Sequence, residues 1–521
     1  MKIFSRYSQI IKFYFFLKNN LIITNKQKKY KSIILIEYFN YKPSIIPFYY
    51  FAKNLQKINN SELKLYIPKI INFKTKILIL LDKYFFLSFY KIFNLFGVKE
   101  IVIPNSQNHY SNFNLIFNNI KSKNDVLKIK LNNILIGDLI YDDYLRSLDK
   151  VTVDFKSDEF KKFLNKSINL FYFWDNYFKK NKVSSIIFSH ATYLIGLAPR
   201  IAINHNIKAY KVGPANAYKL TKKFPYTFDD RKNYKKVFKS FSKEIKNRYI
   251  NFSKENILTQ FLGKKPTEKY INHIINIKKK DVKILISSHD FTDAVHIYGN
   301  FIFNDFHEWI SYLANFSHQT NYKWFIKIHP SDYDRNIIKI KYYENIFNNL
   351  VILPKNFSNK KVLALGLSAV LTVYGTVGRE YPIFNIPVIN ASKNNPHSQY
   401  DFNFHVSTLP EYKNILNNIQ SLRINPYKCR KEIMKYYSSK YSNYNIIDDF
   451  RSAILKVKYK KNGINFKKEI ENNVLDNWIK NYTTEKNKLL NEDISSFIKS
   501  KHTRMIADNT LSSSKLINIK I

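Results

Sequence analysis

Three groups of polar residues follow apolar runs in the second half of the sequence, and their side chains suit the binding of an anion. Each group combines hydroxyl, imidazole, carboxylate or glycine residues, and the three are Ser287-Ser288-His289-Asp290, His329-Pro330-Ser331-Asp332 and Tyr374-Gly375-Thr376. In open parallel sheets, ligands bind in the crevice beyond the carboxyl ends of the strands. The sequence therefore predicts that these groups converge on one ligand.

The group that begins at Tyr374 has the features of a phosphate-binding turn. Gly375 permits a tight turn, and Thr376 can cap a following helix whose exposed amides and dipole attract an anion. Gly378 allows close backbone approach in the first turn, and Glu380 lies one turn further on, where its carboxylate can accept hydrogen bonds from ribose hydroxyls. An ordinary strand-to-helix turn with a solvated Glu380 is the alternative.

His329 strengthens the case for an anion site. Pro330 lacks a backbone donor and restricts His329 to extended geometry, which predicts an imidazole that projects over the sheet edge. A histidine that faces a phosphate donates a hydrogen bond or, when protonated, also supplies a charge. A lone histidine at a strand end is more often structural, but two anion-suited strand ends close together in sequence favour a binding site.

The stretch SSHDFTDAVH contains four residues of types that ligate metals. His289, Asp290, Asp293 and His296 match no zinc-binding spacing, and neither a companion cysteine nor an HExxH motif accompanies them. We therefore expect His289 and Asp290 to make hydrogen bonds at a cleft, and we expect no metal and no cofactor.

Alternating apolar segments must position these residues. Short apolar runs with the length of buried strands alternate with segments of helical spacing, which predicts parallel sheets covered by helices on both faces. We expect a strand at KILILL (76–81), a helix at TVGREYPIFN (376–385) and a helix from Ala191 that places Tyr193 and Arg200 on one face.

The predicted fold class is α/β, with two Rossmann-like domains facing one another across a cleft and a helical connector between them. A chain of 521 residues is too long for a single core. The predicted divisions are a basic N-terminal extension, an N-terminal Rossmann-like domain, the helical connector, a C-terminal Rossmann-like domain and a polar C-terminal tail. These are residues 1–30, 31–227, 228–280, 281–457 and 458–521.

The formal net charge of +46 limits the class of partner. Abundant Lys, Asn, Ile, Tyr and Phe with scarce Gly is what AT-rich coding produces without selection for function, whereas a real preference would be for anions. Helix-turn-helix, Cys/His finger and RNP-type patterns are missing, so we expect no specific nucleic acid. A nucleotide-linked substrate or an anionic membrane surface fits better.

Two further features bear on localisation. The single cysteine, Cys429, suits a reducing compartment. The most apolar later run, KILILLDKYFFLSFYKIFNLFG, is interrupted by charges, so no segment offers the roughly 20 uncharged residues of a membrane span. We expect a cytoplasmic protein, with a peripheral position on the inner face of the membrane as the open alternative.

The ordered set of motifs resembles a known family. SSHDFTDA, FNDFHEWI, KWFIKIHPS and VLTVYGTVGREYPIFNIPVINA are similar to segments of bacterial capsule and surface-polysaccharide biosynthesis glycosyltransferases. These enzymes have the two-domain GT-B fold and are akin to capsular Kdo transferases and polyol-phosphate transferases. IGDLIYDDYLR and SHATYLIGLAPRIA support the same resemblance, which covers residues 31–455.

The resemblance implies roles for the donor-side residues. His329 and the turn Tyr374–Thr376 would hold the phosphate of a nucleotide-sugar donor, and Glu380 would hold its ribose. Related enzymes often carry Ser-Ser or Ser-Thr where this chain has Gly375-Thr376, so the donor nucleotide stays open. The nucleotide-sugar is a substrate, so no cofactor is implied.

An inverting, metal-independent transfer also requires a base that takes the proton of the acceptor hydroxyl. In GT-B enzymes this base commonly comes from the N-terminal domain, where the candidates are Asp138, Asp142 and His190. Asp138 and His190 rank ahead of Asp142, because each follows an apolar run and is expected at a strand end. Arg200, beside Tyr193, is the candidate contact for an anionic acceptor.

The expected acceptor is a growing glycan or lipid-linked glycan. Three alternatives remain: a polyol-phosphate transferase, a sugar-nucleotide 2-epimerase, and a basic protein without enzymatic activity that binds polyanions or membrane surfaces. Product analysis separates the enzymes, and salt-sensitive binding to any polyanion would indicate the third alternative.

Overall fold

The computed structural model describes residues 2–20, 29–82, 84, 88–105, 110–226, 231, 233–278, 281–330, 333–447, 450, 466–509 and 515–517. Three parts of the sequence predictions lie outside these residues. They are Ser331 and Asp332, the start of the predicted connector at 228–230, and the boundary between residues 457 and 458.

Sixteen strands are present in the described part of the chain. They are β1 Ser32–Glu37, β2 Ser61–Tyr66, β3 Glu100–Val102, β4 Lys130–Leu131, β5 Ile134–Leu135, β6 Val183–Phe188, β7 Lys208–Gly213, β8 Asn216–Leu220, β9 Lys283–Ser287, β10 Lys323–Lys327, β11 Leu350–Ile352, β12 Ala369–Thr372, β13 Val388–Asn390, β14 Phe404–His405, β15 Ala507–Asp508 and β16 Lys515–Leu516.

Twelve of these strands form two six-stranded sheets with the same topology. The first sheet has the order β3-β2-β1-β6-β7-β8, and the second has the order β11-β10-β9-β12-β13-β14. When only the strands of each sheet are numbered, both sheets follow 3-2-1-4-5-6, the doubly wound order of dinucleotide-binding folds. All pairs are parallel except β7 with β8. The predicted fold class of two Rossmann-like α/β domains is confirmed.

This strand order creates one switch point in each sheet, where the direction of the connections reverses. In the first sheet the switch point lies between β1 and β6, and in the second it lies between β9 and β12. Ligand crevices form outside the carboxyl ends of the strands at such points. The residues that follow these four strands are therefore the first candidates for a functional site.

Helices cover both faces of each sheet. The α-helices of the first domain and its N-terminal segment are Lys2–Asn20, Lys42–Asn59, Phe73–Asp82, Phe89–Leu95, Tyr110–Asn118, Lys123–Leu127, Gly137–Ser147, Asp158–Lys180 and Leu197–Asn204. Those that follow are Tyr234–Ser240, Lys243–Leu262, Glu268–Ile275, Phe306–Ser317, Tyr333–Glu344, Asn359–Leu363, Leu409–Asn417, Pro426–Tyr441, Phe466–Lys480 and Thr484–Lys499. Short 3-10 helices are Leu194–Gly196, Thr376–Arg379, Tyr381–Phe384 and Ile419–Ser421.

The segment between the sheets packs against the second domain. Helix Lys243–Leu262 lies along helix Pro426–Tyr441. Both contribute to an apolar cluster that includes Leu285 of β9 and Val370 of β12. The predicted helical connector is therefore helical in its described part and covers one face of the second sheet.

Two helices near the C-terminus pack on the first domain. Ile494 and Phe497 of helix Thr484–Lys499 are buried in a cluster with Ile34 of β1 and Phe51 of helix Lys42–Asn59. From the sequence, this segment was expected to be a polar tail. The sequence left open whether this segment docks on the protein, and in the structure its apolar residues cover one face of the first sheet.

One strand prediction was wrong, and one strand of the first sheet was not predicted. The run KILILL, expected as a strand, belongs to helix Phe73–Asp82. The second strand of the sheet is instead Ser61–Tyr66, where Leu63 and Leu65 are buried and the alternating Glu62 and Lys64 are only partly covered.

Within the described residues, no helix is both long and apolar enough to cross a membrane.

Candidate functional site

Hydrogen bonds join the carboxyl ends of β9, β10 and β12. The Ser288 hydroxyl accepts the His329 backbone N–H at 3.2 Å, and His289 Nε2 lies 3.1 Å from Thr372 Oγ1. Thr372 Oγ1 also accepts the Gly375 N–H at 3.1 Å. Ser288, His289, the backbone of His329 and the turn at Gly375 are therefore joined at the carboxyl edge of the second sheet.

His289 organises this edge from inside the protein. Its Nε2 accepts the Val373 N–H at 3.2 Å, and its ring stacks on Phe306 with 4.5 Å between centroids. Burial, reinforced by the nearby charge of His329, lowers the pKa of His289 to about 3, so the ring is neutral. A neutral, buried imidazole that orders the turn after β12 does not face a ligand directly.

The turn after β12 differs from the predicted helix start. A 3-10 helix, Thr376–Arg379, follows, and its N-cap residue is Gly375, which has no side chain to cap it. The expectations of an α-helix at 376–385 and of Thr376 as its cap were therefore wrong. Thr376 is exposed, and its side chain hydrogen-bonds to Glu380.

Glu380 is partly buried beside several cations. Burial raises the pKa of the Glu380 carboxyl above its usual value, while the charges of Arg379, Lys440 and Lys327 act in the opposite direction. A carboxylate held among cations and still reached by solvent can accept hydrogen bonds from ligand hydroxyls. Its predicted role toward ribose stays a prediction.

Gly378 has a packing role that the sequence did not indicate. A Cβ at this position would lie 2.6 Å from Asn403 Nδ2 and 2.7 Å from His397 Nδ1, both of buried side chains. The glycine is therefore needed where the turn crosses these side chains. Close approach of a ligand is not required to explain it.

The switch point of the first sheet contains a hydrogen-bonded chain of three side chains. Glu37 ends β1, and its carboxylate accepts the Ser189 backbone N–H at 2.5 Å and also bonds to the Ser189 hydroxyl. Ser189 Oγ lies 2.8 Å from His190 Nδ1. A hydroxyl that donates to Glu37 must accept from Nδ1–H, which leaves His190 Nε2 able to accept a proton.

The pKa values of Glu37 and His190, the two ends of this hydrogen-bonded series, are shifted in opposite directions. Burial raises the pKa of Glu37 to about 7. The surrounding protein, and then the charges of Lys211 and Arg146, lower the pKa of His190 to about 4. The His190 side chain is nevertheless open to the cleft. It is thus a neutral, accessible imidazole in a cationic environment.

Tyr193 has a strained backbone and contacts both domains. Its φ of 55° and ψ of −172° lie in a region that is essentially restricted to glycine. Its hydroxyl accepts the Ala294 N–H at 2.9 Å and lies 3.0 Å from Asp293 Oδ1. Arg146 lies over the ring at 5.1 Å. The helix of this region begins only at Leu197, so the expectation that Tyr193 and Arg200 share a helical face was wrong.

Arg200 and Asp138 form an ion pair in the interior. Arg200 Nη1 lies 2.5 Å from Asp138 Oδ1 and donates to the Leu135 carbonyl at 3.0 Å, and both charged side chains are buried. The Tyr226 hydroxyl donates to the other carboxylate oxygen at 3.0 Å. Asp138 lies in the first turn of helix Gly137–Ser147, not at a strand end as expected.

Asp142 is bonded to the other domain. Asp142 Oδ1 lies 2.7 Å from His296 Nδ1, and the His296 N–H donates to Oδ2 at 3.0 Å. His296 Nε2 lies 3.0 Å from the Asn304 carbonyl. Because both ring nitrogens face acceptors, the ring is an imidazolium. Burial alone would lower the pKa of His296, but Asp142 outweighs burial and raises it.

Asp290 has a separate partner. Its carboxylate oxygens lie 3.1 and 3.0 Å from Arg335 Nη2, and it accepts the Thr292 N–H at 3.0 Å. The acidic and imidazole groups of SSHDFTDAVH thus point to different partners. Among the described residues, no group of three or more His, Cys, Asp or Glu side chains is arranged to hold a metal ion.

A cavity of about 600 Å³ lies between the carboxyl edges of the two sheets. His190 and Tyr193 line it from the first domain, and Asp293, Ala294 and Ile297 line it from the second. Its charged lining residues are Arg146, Lys211, Arg231, Lys440 and Asp293. Four cations against one carboxylate make the cavity suited to an anionic ligand.

Lys211 and Lys440 line this cavity, and each also acts on a candidate site residue, Lys211 on His190 and Lys440 on Glu380. Burial lowers the pKa of Lys211 to about 8, and its ammonium donates to Asn216 Oδ1 at 2.6 Å. Lys440 lines the cavity and also lies near Glu380, where its charge opposes the rise in the carboxyl pKa that burial causes. Neither lysine could be selected from the sequence, because lysines are abundant throughout the chain and nothing local distinguishes these two.

No known family model matches the sequence, and no curated protein matches it. Among solved structures, the chain is similar to a UDP-GlcNAc 2-epimerase from Neisseria meningitidis bound to UDP-GlcNAc. The identity is 13% over 78% of this chain and 97% of that chain, with a TM-score of 0.23. It is also similar to MurG of Acinetobacter baumannii, with 10% identity over 78% and 94% of the two chains and a TM-score of 0.24. Similarity at this level does not identify a function, and the functional assignment rests on the geometry of the site.

Proposed function

We propose that the protein is an inverting glycosyltransferase that moves a sugar from a nucleotide-activated donor onto a glycan or lipid-linked glycan at the cytoplasmic face of a membrane. The observation that carries this proposal is the cation-lined cavity between the carboxyl edges of two doubly wound sheets. A nucleotide-sugar carries negative phosphates that such a cavity attracts. A cavity with walls from two domains can also receive two substrates.

We place the donor side of the site in the second domain, whose Asp293, Ala294 and Lys440 line this cavity. The residues with predicted donor roles, His329, Gly375, Thr376 and Glu380, lie outside its lining. The amides at Gly375–Thr376 follow β12 at the switch point of the second sheet, where nucleotides bind in folds of this topology. His329 follows the neighbouring strand β10, and its backbone N–H bonds to Ser288 at the end of β9. Glu380 lies beside the turn, and Lys440 lies near Glu380 while lining the cavity. We assign phosphate binding to His329 and the amides at Gly375–Thr376, and ribose binding to Glu380.

The first domain offers the base. Of the three candidates, Asp138 is neutralised by Arg200 and Asp142 by His296, and both carboxylates are buried. His190 lines the cavity, and its Nε2 is free of the proton that Nδ1 carries toward Ser189. Bound donor phosphates would offset the cations that lower its pKa, which would make His190 a stronger base in the complex.

The proposal is tested by incubating the purified protein with CMP-, UDP- and GDP-sugars and following the products. Release of free nucleotide with transfer of labelled sugar to a glycan or lipid extract is the expected result. Epimerised nucleotide-sugar without an acceptor would replace the proposal with a 2-epimerase, and label from CDP-glycerol entering polymer would indicate a polyol-phosphate transferase. A prior thermal-shift screen of CMP, CDP, UDP and GDP selects the donor, since a bound ligand stabilises the native state.

The assignment of the base is tested by His190→Gln. Loss of a general base lowers kcat by roughly 10²- to 10⁴-fold. The donor-induced thermal shift should persist, because His190 is assigned to the acceptor side. His318→Gln is the matched control, since His318 is an exposed histidine just after helix Phe306–Ser317. An unchanged kcat in His190→Gln would remove this residue from the reaction.

A further inference from the structure

Helix Phe73–Asp82 displays its apolar side chains to solvent. None of its residues is buried, and Phe73 is 77% exposed and Leu78 58% exposed. A helix on a globular domain normally turns its apolar stripe toward the core. Contiguous exposed apolar surface of this kind marks a site of interaction.

Four of the five exposed large apolar residues of this helix form a stripe with a charged border, and the fifth, Leu78, lies beyond Lys74 on one side. Phe73, Ile77, Leu80 and Leu81 follow the spacing i, i+4, i+7 and i+8, so they share one face, and all four are exposed. At roughly 100° per residue, Lys74 and Lys76 lie on the two sides of this stripe. An apolar face bordered by lysines is the pattern of a helix that lies in the interface plane of a membrane.

The C-terminal end of the helix is attached to the first domain by polar contacts. At the start, Asn72 Oδ1 accepts the Thr75 N–H at 2.8 Å, which caps the helix within its own segment. At the end, Asp82 accepts the Tyr38 hydroxyl at 2.6 Å and the Tyr90 N–H at 3.2 Å. Tyr38 directly follows β1, so the helix is attached at the sheet edge that also carries Glu37 and the cavity.

We propose that helix Phe73–Asp82 inserts its apolar stripe into the interfacial layer of an anionic lipid bilayer and docks the first domain there. The net charge of +46 supports an anionic surface, because each basic residue near such a membrane adds attraction. The same charge opposes a second copy of this chain as the occupant, since two strongly positive molecules repel one another. The proposal shares only the membrane-linked acceptor with the proposed transfer reaction, and its test requires no sugar donor.

Vesicle flotation with the full chain tests the docking. We expect binding to vesicles that are roughly one third phosphatidylglycerol and much weaker binding to pure phosphatidylcholine. The double substitution Phe73→Ser and Leu81→Ser should lower the partition coefficient by at least roughly tenfold. Leu115→Ser is the matched control, because Leu115 is 67% exposed on helix Tyr110–Asn118, and it should leave binding unchanged.

Insertion is tested separately with a fluorescent probe. The indole introduced by Phe73→Trp should give fluorescence that brominated lipid chains quench, whereas the indole of Leu115→Trp should not be quenched. If binding survives the double substitution and the indole of Phe73→Trp is not quenched, surface charge alone holds the protein on the vesicle. That outcome would overturn the proposed insertion. Absence of binding to either vesicle, or a dimer in sedimentation that the double substitution dissociates, would also overturn it.

Discussion

Glu37 and His190 act on each other through the Ser189 hydroxyl. While Glu37 is ionised, Ser189 donates to it and accepts from His190 Nδ1, so Nε2 can take a proton. Once Glu37 is protonated, the carboxyl can donate to Ser189, and Ser189 can then donate to Nδ1. That reversal places the imidazole proton on Nε2 and removes the base from the cavity. The protonation of Glu37 would thus control the tautomer of His190.

Glu37→Gln tests this control at the residue scale. The pKa of Glu37 is raised to about 7, so wild-type turnover should rise with pH through that value, and the substitution should abolish this limb of the pH profile. Steady-state kinetics between about pH 5 and about pH 9 measure it. If the rise in turnover near pH 7 persists in Glu37→Gln, a group other than Glu37 is responsible for it.

The same substitution has a predictable effect on stability. Because the folded pKa of Glu37 is about 7 and the reference value is 4.5, the folded protein holds a proton that the unfolded chain releases. Stability is therefore lost as pH rises between these two values, by roughly 3 kcal/mol in total. Urea unfolding of Glu37→Gln should show a smaller loss over this range. An equal loss in both proteins would show that Glu37 titrates normally.

The sequence could indicate His190 but not Glu37. His190 follows an apolar run and stands at a strand end that can be read locally. Glu37 also ends a strand, but the burial that raises its pKa and its contact with Ser189, which acts in the opposite direction, both depend on parts of the chain distant in sequence. Tyr193 was likewise a candidate from the sequence, but neither its positive φ nor the contacts of its hydroxyl with the second domain could be read from local sequence.

At the scale of elements, parallel strands were predicted well where they are buried on both faces. β1, β6, β9 and β12 are near-continuous apolar runs, and each was recognised. The strand Ser61–Tyr66 was missed because its polar residues alternate with Leu63 and Leu65. The run KILILL was misassigned for the opposite reason: it is apolar without being buried. Apolar content predicts a strand only where a sheet covers it.

The C-terminal helices give a prediction at this scale. Phe497 is 3% exposed, its ring centroid lies 6.2 Å from that of Phe51, and Lys219 Nζ lies 4.7 Å from its ring. Phe497→Ala should lower the free energy of unfolding by about 3–5 kcal/mol, because it leaves a cavity in the first domain. Chemical denaturation measures this loss.

The control lies on the same helix. Leu489 is 54% exposed, so Leu489→Ala should change the unfolding free energy by less than about 0.5 kcal/mol. Equal small effects of the two substitutions would show that the helix does not belong to the core. The polar composition of this region concealed its apolar face, since only a few of its residues are buried.

At the scale of the whole molecule, polar ties fix one domain against the other beside the cavity. Asp305 of the second domain accepts the Tyr141 hydroxyl at 2.5 Å and the Thr152 hydroxyl at 2.6 Å. Asp142 of the first domain holds the His296 imidazolium at 2.7 Å. Helix Gly137–Ser147 supplies a residue to both ties. The ties therefore limit how far the walls of the cavity can separate.

Asp142→Asn tests the importance of these ties. It leaves a buried imidazolium without its counter-ion and should cost about 3–5 kcal/mol in urea unfolding. Asp149→Asn is the control, because Asp149 also pairs across the domains, with Lys339 at 2.6 Å, but is 53% exposed and should cost less than about 1 kcal/mol.

The pH dependence distinguishes the tie from a packing defect. The raised pKa of His296 means that its contribution is fully present below its reference value of 6.5 and is lost as pH rises through the higher folded value. Wild-type stability should therefore fall over this range, whereas that of Asp142→Asn should not. Small-angle scattering below that reference value should show a larger radius of gyration for Asp142→Asn than for Asp149→Asn if the tie holds the cavity closed. An unchanged radius would mean that the apolar contacts between the domains suffice, and the ion pair would then set only the stability of the interface and not the width of the cavity.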